Sequence, residues 1–439
     1  MKNQDVKLIL SPYHPDNLDN HTVRVTSEGG YRPSKESKFP MFPFEFTNWQ
    51  KEELSWHDNC YIHAGLNPFM FTLYKGEGMI QLMSDNCIST FNNFPVGKAR
   101  HVICTNEKGK ITLDGIMLRM SQDEFLGMCL PHFAAVADKY GVKAEDVSTK
   151  RAFFQLCGPK SLEIVEDLIQ ADLHDLKFMY SKDVKILGKN AFILRTGMAG
   201  TLGYEVHCSI DDAIEIYNLI LEVGKPYGIT EIGRHAYRNT HTEGGFPQAS
   251  IHFPGAIGFE EKSRIVGSLS NDSDRKHLSP IDVGWEKMIS FKHEFPGKEA
   301  LKAELESHHN TVVNLRWNPE DILKVIETYF EEDSCDIMDM VEDYDYVNGS
   351  YIQHMDEVYA GDKMIGVASG RMWSPKFHEM ISMGFIDQDY ANEGTIVEVL
   401  WGSPGTRQMC IRAEVIRNPY ITELRNDVEE TLNLIPRRY

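Results

Sequence analysis

The stretch R195-T-G-M-A-G-T-L-G-Y-E-V-H-C208 carries three glycines at intervals of three residues. The residues just before it, A191-F-I-L-R-T196, are apolar like a strand, and Y204-E-V-H-C-S-I210 alternates as a strand does. A glycine loop that binds phosphate must instead lead straight into a helix, because the N–H groups at the helix end hold the phosphate. The glycines therefore predict a turn between two strands and not a nucleotide site.

Glu205 is a carboxylate in a strand that is otherwise built from Tyr204, Val206 and Cys208. A carboxylate that faces inward is costly unless donors surround it. Two interpretations follow from the residues alone. Glu205 is either an ordinary glutamate of an edge strand or a group that binds the N–H donors of a ligand.

Composition limits the classes of partner. The chain has 439 residues and a formal net charge of −20, which argues against nucleic acid or an anionic membrane surface as partner. No run of about 18 apolar residues occurs, and the first residues lack the pattern of a signal peptide. The eight cysteines are scattered and are expected to be reduced thiols. We therefore expect a soluble globular protein, a cytoplasmic location and a small-molecule ligand.

Patterning divides the chain into five parts. Residues 1–38 are polar and predict an N-terminal arm. Residues 39–150 and 151–330 each combine strands with short helices in a similar order, which predicts two related α+β units. Residues 331–350 are acidic and predict a linker. Residues 351–439 consist of short alternating segments about 10 residues apart, as is typical of a small β-barrel.

The glycine stretch resembles the R-T-G-Y-T-G-x-x-G-[FY]-E-[IV] signature of the glycine-cleavage T-protein (aminomethyltransferase) superfamily. Other blocks of that superfamily are similar to residues 155–161, 221–247, 291–301 and 385–399, so the likeness runs from about residue 39 to residue 425. The resemblance implies an α+β, T-protein-like folate-binding fold of two related α+β units with a C-terminal β-barrel domain.

Four shorter segments are most similar to the bacterial tetrahydrofolate-dependent aryl O-demethylases of the vanillate and 3-O-methylgallate type. They are E45-F-T-N-W49, F94-P-V-G-K-A-R100, H235-A-Y237 and R316-W-N318. The implied reaction moves a methyl group from an aromatic methyl ether to N5 of tetrahydrofolate, giving a phenol and 5-methyltetrahydrofolate. The implied partners are tetrahydrofolate and a small aromatic methyl donor.

The resemblance assigns roles to two residues first. Tyr237 would give a proton to the leaving phenolate, since its phenol, of pKa about 10, is close in acidity to the product. The alternative is a buried tyrosine whose hydroxyl is bonded to the backbone. Glu205 would accept N–H bonds from the amino and ring nitrogens of the pterin, as a carboxylate can accept two such bonds at once.

Four further residues are expected to contact the cofactor, and each has a purely structural role as its alternative. Gln155 and Glu243 resemble further positions of the superfamily, and Trp317 is expected to pack on the ligand. Asp114 matches one of two adjacent aspartates of the T-protein. Its neighbour here is Leu113, so the aminomethyl-transfer role carries over poorly.

Two departures point away from vanillate as donor. The O-demethylases carry an active-site histidine where this chain has Pro68, and an arginine for the substrate carboxylate where it has Cys129. A donor without a benzoate carboxylate is therefore expected. Asn67, His63 and His235 are the candidates that would take over the work of the missing histidine.

Two further clusters of side chains allow more than one interpretation. His57, Asp58, Cys60 and His63 invite a metal site on one helical face, but no second ligand pair stands out and no metal is expected. Arg234, Arg238 and His241 either meet the glutamate tail of folate or form a solvated helix end.

Two rival functions also remain. One is a folate-binding protein of the same fold that has no catalytic activity. The other is a different folate-dependent reaction, such as demethylation at sulfur or nitrogen, opening of a methylenedioxy ring, or oxidation. A test with tetrahydrofolate and several aryl ethers separates these alternatives.

Overall fold

The computed structural model describes residues 24–25, 43–64, 66, 70–257, 263–342, 346–347 and 350–439. Most of the predicted N-terminal arm lies outside these residues. The strands are, in chain order, β1 (Arg24–Val25), β2 (Pro43–Glu45), β3 (Cys60–Ala64), β4 (Phe71–Lys75), β5 (Ala99–Thr105), β6 (Ile111–Arg119), β7 (Glu124–Met128), β8 (Lys143–Asp146), β9 (Arg151–Cys157), β10 (Ser181–Ile186), β11 (Lys189–Leu194), β12 (Gly203–Ser209), β13 (Ile229–Glu231), β14 (Arg264–Val266), β15 (Asn310–Trp317), β16 (Tyr346–Val347), β17 (Ser350–Ala360), β18 (Lys363–Ser374), β19 (Glu379–Asp387), β20 (Ile396–Trp401) and β21 (Met409–Ile416).

The α-helices are fewer than the strands in the part of the chain that is described. They are α1 (Trp49–Asp58), α2 (Met79–Asn86), α3 (Ser161–Ile169), α4 (Ala213–Gly224), α5 (Arg234–Tyr237), α6 (Asn239–Gly244), α7 (Lys298–Leu305) and α8 (Pro319–Glu327). Within the described ranges, no helix combines the length and the apolar character that crossing a membrane requires.

Three larger sheets organise the fold. One is antiparallel in the order β5-β6-β7-β4-β8, and a second runs β10-β11-β12-β9-β3-β13. In the third, the strands β17-β18-β19-β15-β21-β20 form a closed ring, because β20 pairs back to β17. The predicted α+β class with a carboxyl-terminal barrel is confirmed.

The sheets exchange strands across the predicted domain divisions, which themselves stay a prediction. Strand β3 comes from the first predicted unit but pairs with β9 of the second. Strand β15 precedes the predicted acidic linker, yet it pairs with β19 and β21 of the barrel. The described part of the linker also packs on the barrel, since Trp401 Nε1 donates to the Asp336 carbonyl at 2.8 Å. The parts of the chain are therefore tied together by backbone pairing.

The residues E107-K-G-K110 predict a hairpin turn and K160-S-L-E-I-V-E-D-L-I169 predicts a helix, and both predictions are confirmed. The hairpin centred on E107-K-G-K110 joins β5 and β6, and the apolar stripe of Leu162, Val165 and Leu168 is the buried side of α3. The stretch D427-V-E-E-T-L-N-L-I435 predicts a closing helix, and this prediction is wrong. Glu429–Leu434 forms a 3-10 turn, because only Thr431 and Leu432 of this segment are buried and no longer apolar stripe supports an α-helix.

The three glycines lie at the turn between β11 and β12. A Cβ added at Gly197 or Gly203 would lie 2.4 or 2.5 Å from the Cys157 sulfur, and Gly200 has a φ of +75°. Arg195, at the start of the turn, ties it to the carboxyl-terminal segment, because its Nε donates to Asn426 Oδ1 at 3.1 Å. The glycines therefore form a turn between two strands, as predicted, and the structure adds that they allow close packing on Cys157 and a left-handed backbone conformation.

Gly203→Ala is expected to lower the free energy of unfolding by about 1–3 kcal/mol, because the new methyl group overpacks the site of the Cys157 sulfur. Urea unfolding measures this loss. In a Cys157→Ala background the same change should cost less, since the clashing sulfur is gone. Equal losses in both backgrounds would contradict this account of the turn.

Candidate active site

Three candidate side chains lie in one row across three neighbouring strands. Glu205 of β12 is in register with Gln155 of β9, and Gln155 is in register with His63 of β3. The side chains of one row point to the same face of a sheet, and these three are only 4%, 1% and 1% exposed. The sequence had placed Gln155 and Glu205 with the cofactor and His63 with the catalytic groups. The fold brings them together.

Hydrogen bonds run along this row. Gln155 Nε2 donates to Glu205 Oε1 at 3.3 Å, and Gln155 Oε1 accepts from the Tyr61 hydroxyl at 2.8 Å. The same oxygen lies 3.2 Å from His63 Nε2, so Nε2 is the protonated nitrogen and Nδ1 keeps a lone pair. Burial lowers the pKa of His63 to about 3. His63 is therefore a neutral imidazole, and among the described residues its Nδ1 has no hydrogen-bond partner.

His207 supports Glu205 from the next position on the same face. Its Nε2 donates to Glu205 Oε2 at 2.8 Å, and its ring stacks on Phe192 with centroids 4.4 Å apart. Burial lowers the pKa of His207, and the bond to Glu205 opposes that shift. The stacked ring fixes the orientation of the carboxyl group. His207 was not among the predicted site residues, although period-two alternation from Glu205 places it on the same face of the strand.

Tyr237 stands at the His63 end of the row. It is 3% exposed, and its ring centroid lies 4.7 Å from that of His63 and 5.2 Å from that of His241, with both pairs edge to face. The start of its helix is held by α1, because Glu52 Oε2 accepts the Gly233 N–H at 2.8 Å. Tyr237 is thus a buried phenol between two imidazoles.

Asp114 is connected to Tyr237 through other side chains. His101 Nε2 is 3.1 Å from its Oδ2, and the Ala249 N–H donates to its Oδ1 at 3.3 Å. The His101 ring packs against Phe246 at 5.4 Å, and Phe246 lies 6.4 Å from His241. Side-chain contacts therefore connect Glu205 to Tyr237 and Tyr237 to Asp114. The residues in between are Gln155 and His63 on the first side and His241, Phe246 and His101 on the second.

Glu243 is fully buried and is bonded to the protein itself. Its Oε2 accepts from Trp56 Nε1 at 2.8 Å and lies 2.8 Å from His57 Nε2. Its backbone carbonyl accepts from the N–H groups of Tyr420 and Ile421 at 3.1 and 2.9 Å. These contacts tie α6 to α1 and to the carboxyl-terminal segment. These contacts give Glu243 a structural role, while its buried Oε1 has no hydrogen-bond partner among the described residues and is left for a ligand donor.

Glu243→Gln is expected to lower the free energy of unfolding by about 1.5–3 kcal/mol, since it replaces the charged acceptor of two buried donors. Urea unfolding and a tetrahydrofolate titration of the same preparation separate the two roles. The structural role predicts lost stability with an unchanged dissociation constant. Weaker binding at unchanged stability would assign Glu243 to the cofactor instead.

The remaining candidates lie elsewhere or outside the described residues. Trp317 is in the barrel core, where its Nε1 donates to Ser382 Oγ at 2.9 Å. His235 Nδ1 is 2.6 Å from Glu45 Oε1, and its ring packs on Trp49 at 6.0 Å. These contacts of Trp317 and His235 are with residues outside the row of Glu205, Gln155 and His63, and none of them is with Tyr237. Asn67 and Pro68 fall outside the described residues.

The predicted helical face for a metal does not form. Helix α1 ends at Asp58, so Cys60 and His63 belong to a strand. His57 contacts Glu243, whereas His63 contacts Gln155. The ring of His241 is completely buried, so the solvated helix end, one of the two alternatives open for it, is wrong.

Comparison with known proteins decides the family. The model of the GCVT N-terminal domain matches residues 38–253. The chain is 35% identical over 442 residues to the sesamin methylene transferase of Sinomonas sp. (strain No.22). The aligned region covers 94% of this chain and 97% of that protein. The chain belongs to the T-protein superfamily. The resemblance found in its motifs is thereby confirmed.

Two other members of the T-protein superfamily are also similar. The syringate O-demethylase of Sphingobium sp. (strain NBRC 103272 / SYK-6) is 27% identical over 396 residues, covering 83% of this chain and 85% of that protein. The crystal structure of glycine cleavage system aminomethyltransferase T from Bartonella henselae has the same fold, with a TM-score of 0.62, 16% identity, and coverage of 87% and 92%. The chain is therefore an enzyme of folate-dependent one-carbon transfer.

Proposed function

We propose that the enzyme transfers a one-carbon group from an uncharged aryl ether to tetrahydrofolate. The arrangement that carries this proposal is the row of Glu205, Gln155 and His63 with Tyr237 against its end. One end of the cluster offers a carboxyl group that accepts N–H bonds. The other end offers a phenol that can protonate a leaving oxygen. Both lie in one buried cluster, as a transfer between two bound molecules requires.

The residues present suit tetrahydrofolate. The pterin ring presents several N–H donors, and each carboxyl oxygen of Glu205 accepts one bond from the protein and retains a further lone pair. His63 Nδ1 is a second buried acceptor with no partner among the described residues. Glu205, Gln155 and His63 are the residues that would hold the pterin. Tetrahydrofolate would supply the nucleophilic nitrogen.

The imidazoles near Tyr237 offer no charge to a carboxylate on the donor. Burial holds the pKa of His63 and of His252 at about 3, so both rings are neutral. Cys129 stands where the O-demethylases resembled carry the arginine for a substrate carboxylate. A benzoate would lose that charged partner, whereas a neutral ether would not.

A methylenedioxyarene is the donor class that we favour. The relative named sesamin methylene transferase is similar over nearly the whole of both chains. Opening such a ring breaks two C–O bonds and forms two C–N bonds, and two protons pass from nitrogen to the aryl oxygens. The products are a catechol and 5,10-methylenetetrahydrofolate, and no oxidant or reductant is needed.

An aromatic methyl ether is the second candidate donor. It is supported by the likeness to syringate O-demethylase and by the motifs quoted from the aryl O-demethylases. Here one C–O bond breaks, one C–N bond forms, and one proton passes from N5 to the phenol oxygen. The product is 5-methyltetrahydrofolate.

A matched pair of donors tests the proposal. Purified enzyme is incubated with tetrahydrofolate and either a methylenedioxyarene or the corresponding methoxyarene with the same ring substituents, and the folate product is identified by mass spectrometry. The two products differ by two hydrogen atoms, so the donor class is read directly. Binding of tetrahydrofolate without turnover of either donor would favour the non-catalytic alternative. Absence of binding would refute the folate assignment.

A further inference from the structure

His241 differs from the other buried imidazoles near Tyr237. Its ring is completely buried, and neither ring nitrogen has a hydrogen-bond partner in the described part of the chain. His63 uses its Nε2 on Gln155. His252 uses both nitrogens, since Nδ1 accepts the Gln248 N–H at 3.2 Å and Nε2 lies 3.2 Å from Thr242 Oγ1. A buried imidazole with neither nitrogen engaged points to a ligand at that place.

The position of His241 is set by the helix that carries Tyr237. Arg238 joins α5 to α6 with φ −63° and ψ −32°, so the helical path continues between them. Residues four apart on such a path share one face. The ring of Tyr237 therefore lies between His63 and His241, at 4.7 and 5.2 Å. His63 contacts Gln155 of the row, and His241 contacts the phenol ring of Tyr237.

The electrostatic surroundings keep His241 uncharged. Burial, followed by the nearby His252, His63 and Arg238, holds the pKa of its ring well below the ordinary value. A neutral imidazole has one donor nitrogen and one acceptor nitrogen. Such a ring can take up a proton at one nitrogen and release a proton from the other.

Building on the proposed function, we propose that His241 is the base of the one-carbon transfer, with Tyr237 as the acid. The nitrogen lone pair of the acceptor forms the C–N bond, and the electron pair of the broken C–O bond goes to the aryl oxygen. That oxygen takes the Tyr237 proton, and His241 takes the proton lost by the acceptor nitrogen. His241 then returns a proton to the Tyr237 oxygen. A methylenedioxy donor passes through this cycle twice.

Alanine and glutamine variants test the proposal, once wild-type turnover has been shown with either donor. His241→Ala should lose about 100-fold in kcat, as removal of a general base does, with an unchanged dissociation constant for tetrahydrofolate. Imidazole added to the buffer should restore part of the rate. His293→Ala is the matched control, because His293 also has a buried nitrogen without a partner among the described residues but contacts the Cys87 carbonyl away from Tyr237. Its rate should not respond to imidazole.

The glutamine variant keeps the test decisive if His241→Ala fails to fold. His241→Gln retains polar atoms in the same space but has no basic nitrogen, so it should bind tetrahydrofolate and turn over slowly. A fully active His241→Gln would overturn the proposal, as would a folded His241→Ala that is slow but unaffected by imidazole. Active variants with an active wild type would refute only the role of His241. A wild type that turns over neither donor would remove the proposed function and this inference together.

Discussion

Glu205→Gln is expected to weaken tetrahydrofolate binding by about 10- to 100-fold. A hydrogen bond to a charged acceptor contributes about 1.5–3 kcal/mol, and a tenfold change in affinity corresponds to about 1.4 kcal/mol. The amide also replaces one acceptor oxygen by a donor, which opposes the His207 N–H as well as the N–H groups of the pterin. Titration of the purified variant with tetrahydrofolate under anaerobic conditions measures the change.

Glu163→Gln is the matched control for this variant. Glu163 lies on α3, which packs on the opposite face of the same sheet, and its Oε1 accepts from Lys160 Nζ at 3.0 Å. The control should bind tetrahydrofolate like the wild type. Equal affinity in Glu205→Gln and the wild type would show that the row on β12, β9 and β3 does not hold the pterin.

Tyr237→Phe is expected to reduce turnover by about 100-fold or more, within the range of about 10²–10⁴ for loss of a general acid. Tetrahydrofolate affinity should be unchanged, because the ring that packs between the two imidazoles is retained. Rates of folate product formation at saturating donor measure the effect.

Leaving-group acidity distinguishes an acid from a packing residue. With a donor whose product is a more acidic phenol, such as a nitro-substituted aryl ether, the defect of Tyr237→Phe should shrink, because the departing oxygen needs less help from a proton. Tyr204→Phe is the control, since Tyr204 is buried in the same strand as Glu205 but on the other face. A defect of equal size for every donor would assign Tyr237 to packing alone.

Local pattern was sufficient for much of the fold and for some of the site. Alternation from Tyr204 to Ser209 predicted the strand that carries Glu205, and the lack of a helix directly after the glycines excluded a phosphate loop. Motif resemblance supplied Gln155, Glu205 and Tyr237, which the fold then placed in one cluster. These features depend on residues that are neighbours in the chain or on short motifs, and both are readable without a structure.

Partner choice for buried polar groups was not readable in the same way. Glu243 matched a cofactor-binding position, but its carboxylate is bonded to Trp56, 187 positions earlier in the chain. Trp317 was expected to pack on the ligand and is part of the barrel core. For His241 the sequence left a solvated helix end and a contact with folate both open, and packing of its helix against neighbouring elements buried it. A motif identifies a position in the chain, whereas its partners depend on elements far away in sequence.

By itself, the sequence determined that this chain is an α+β protein of the T-protein superfamily, with a glycine turn and a glutamate strand after it. Only the tertiary structure decided that Glu205, Gln155 and His63 share one row and that Tyr237 lies between two neutral imidazoles. The reason is register: Gln155 is 50 positions from Glu205 and 92 from His63. Pairing over such separations is set by the packing of whole strands and helices, which no local pattern encodes.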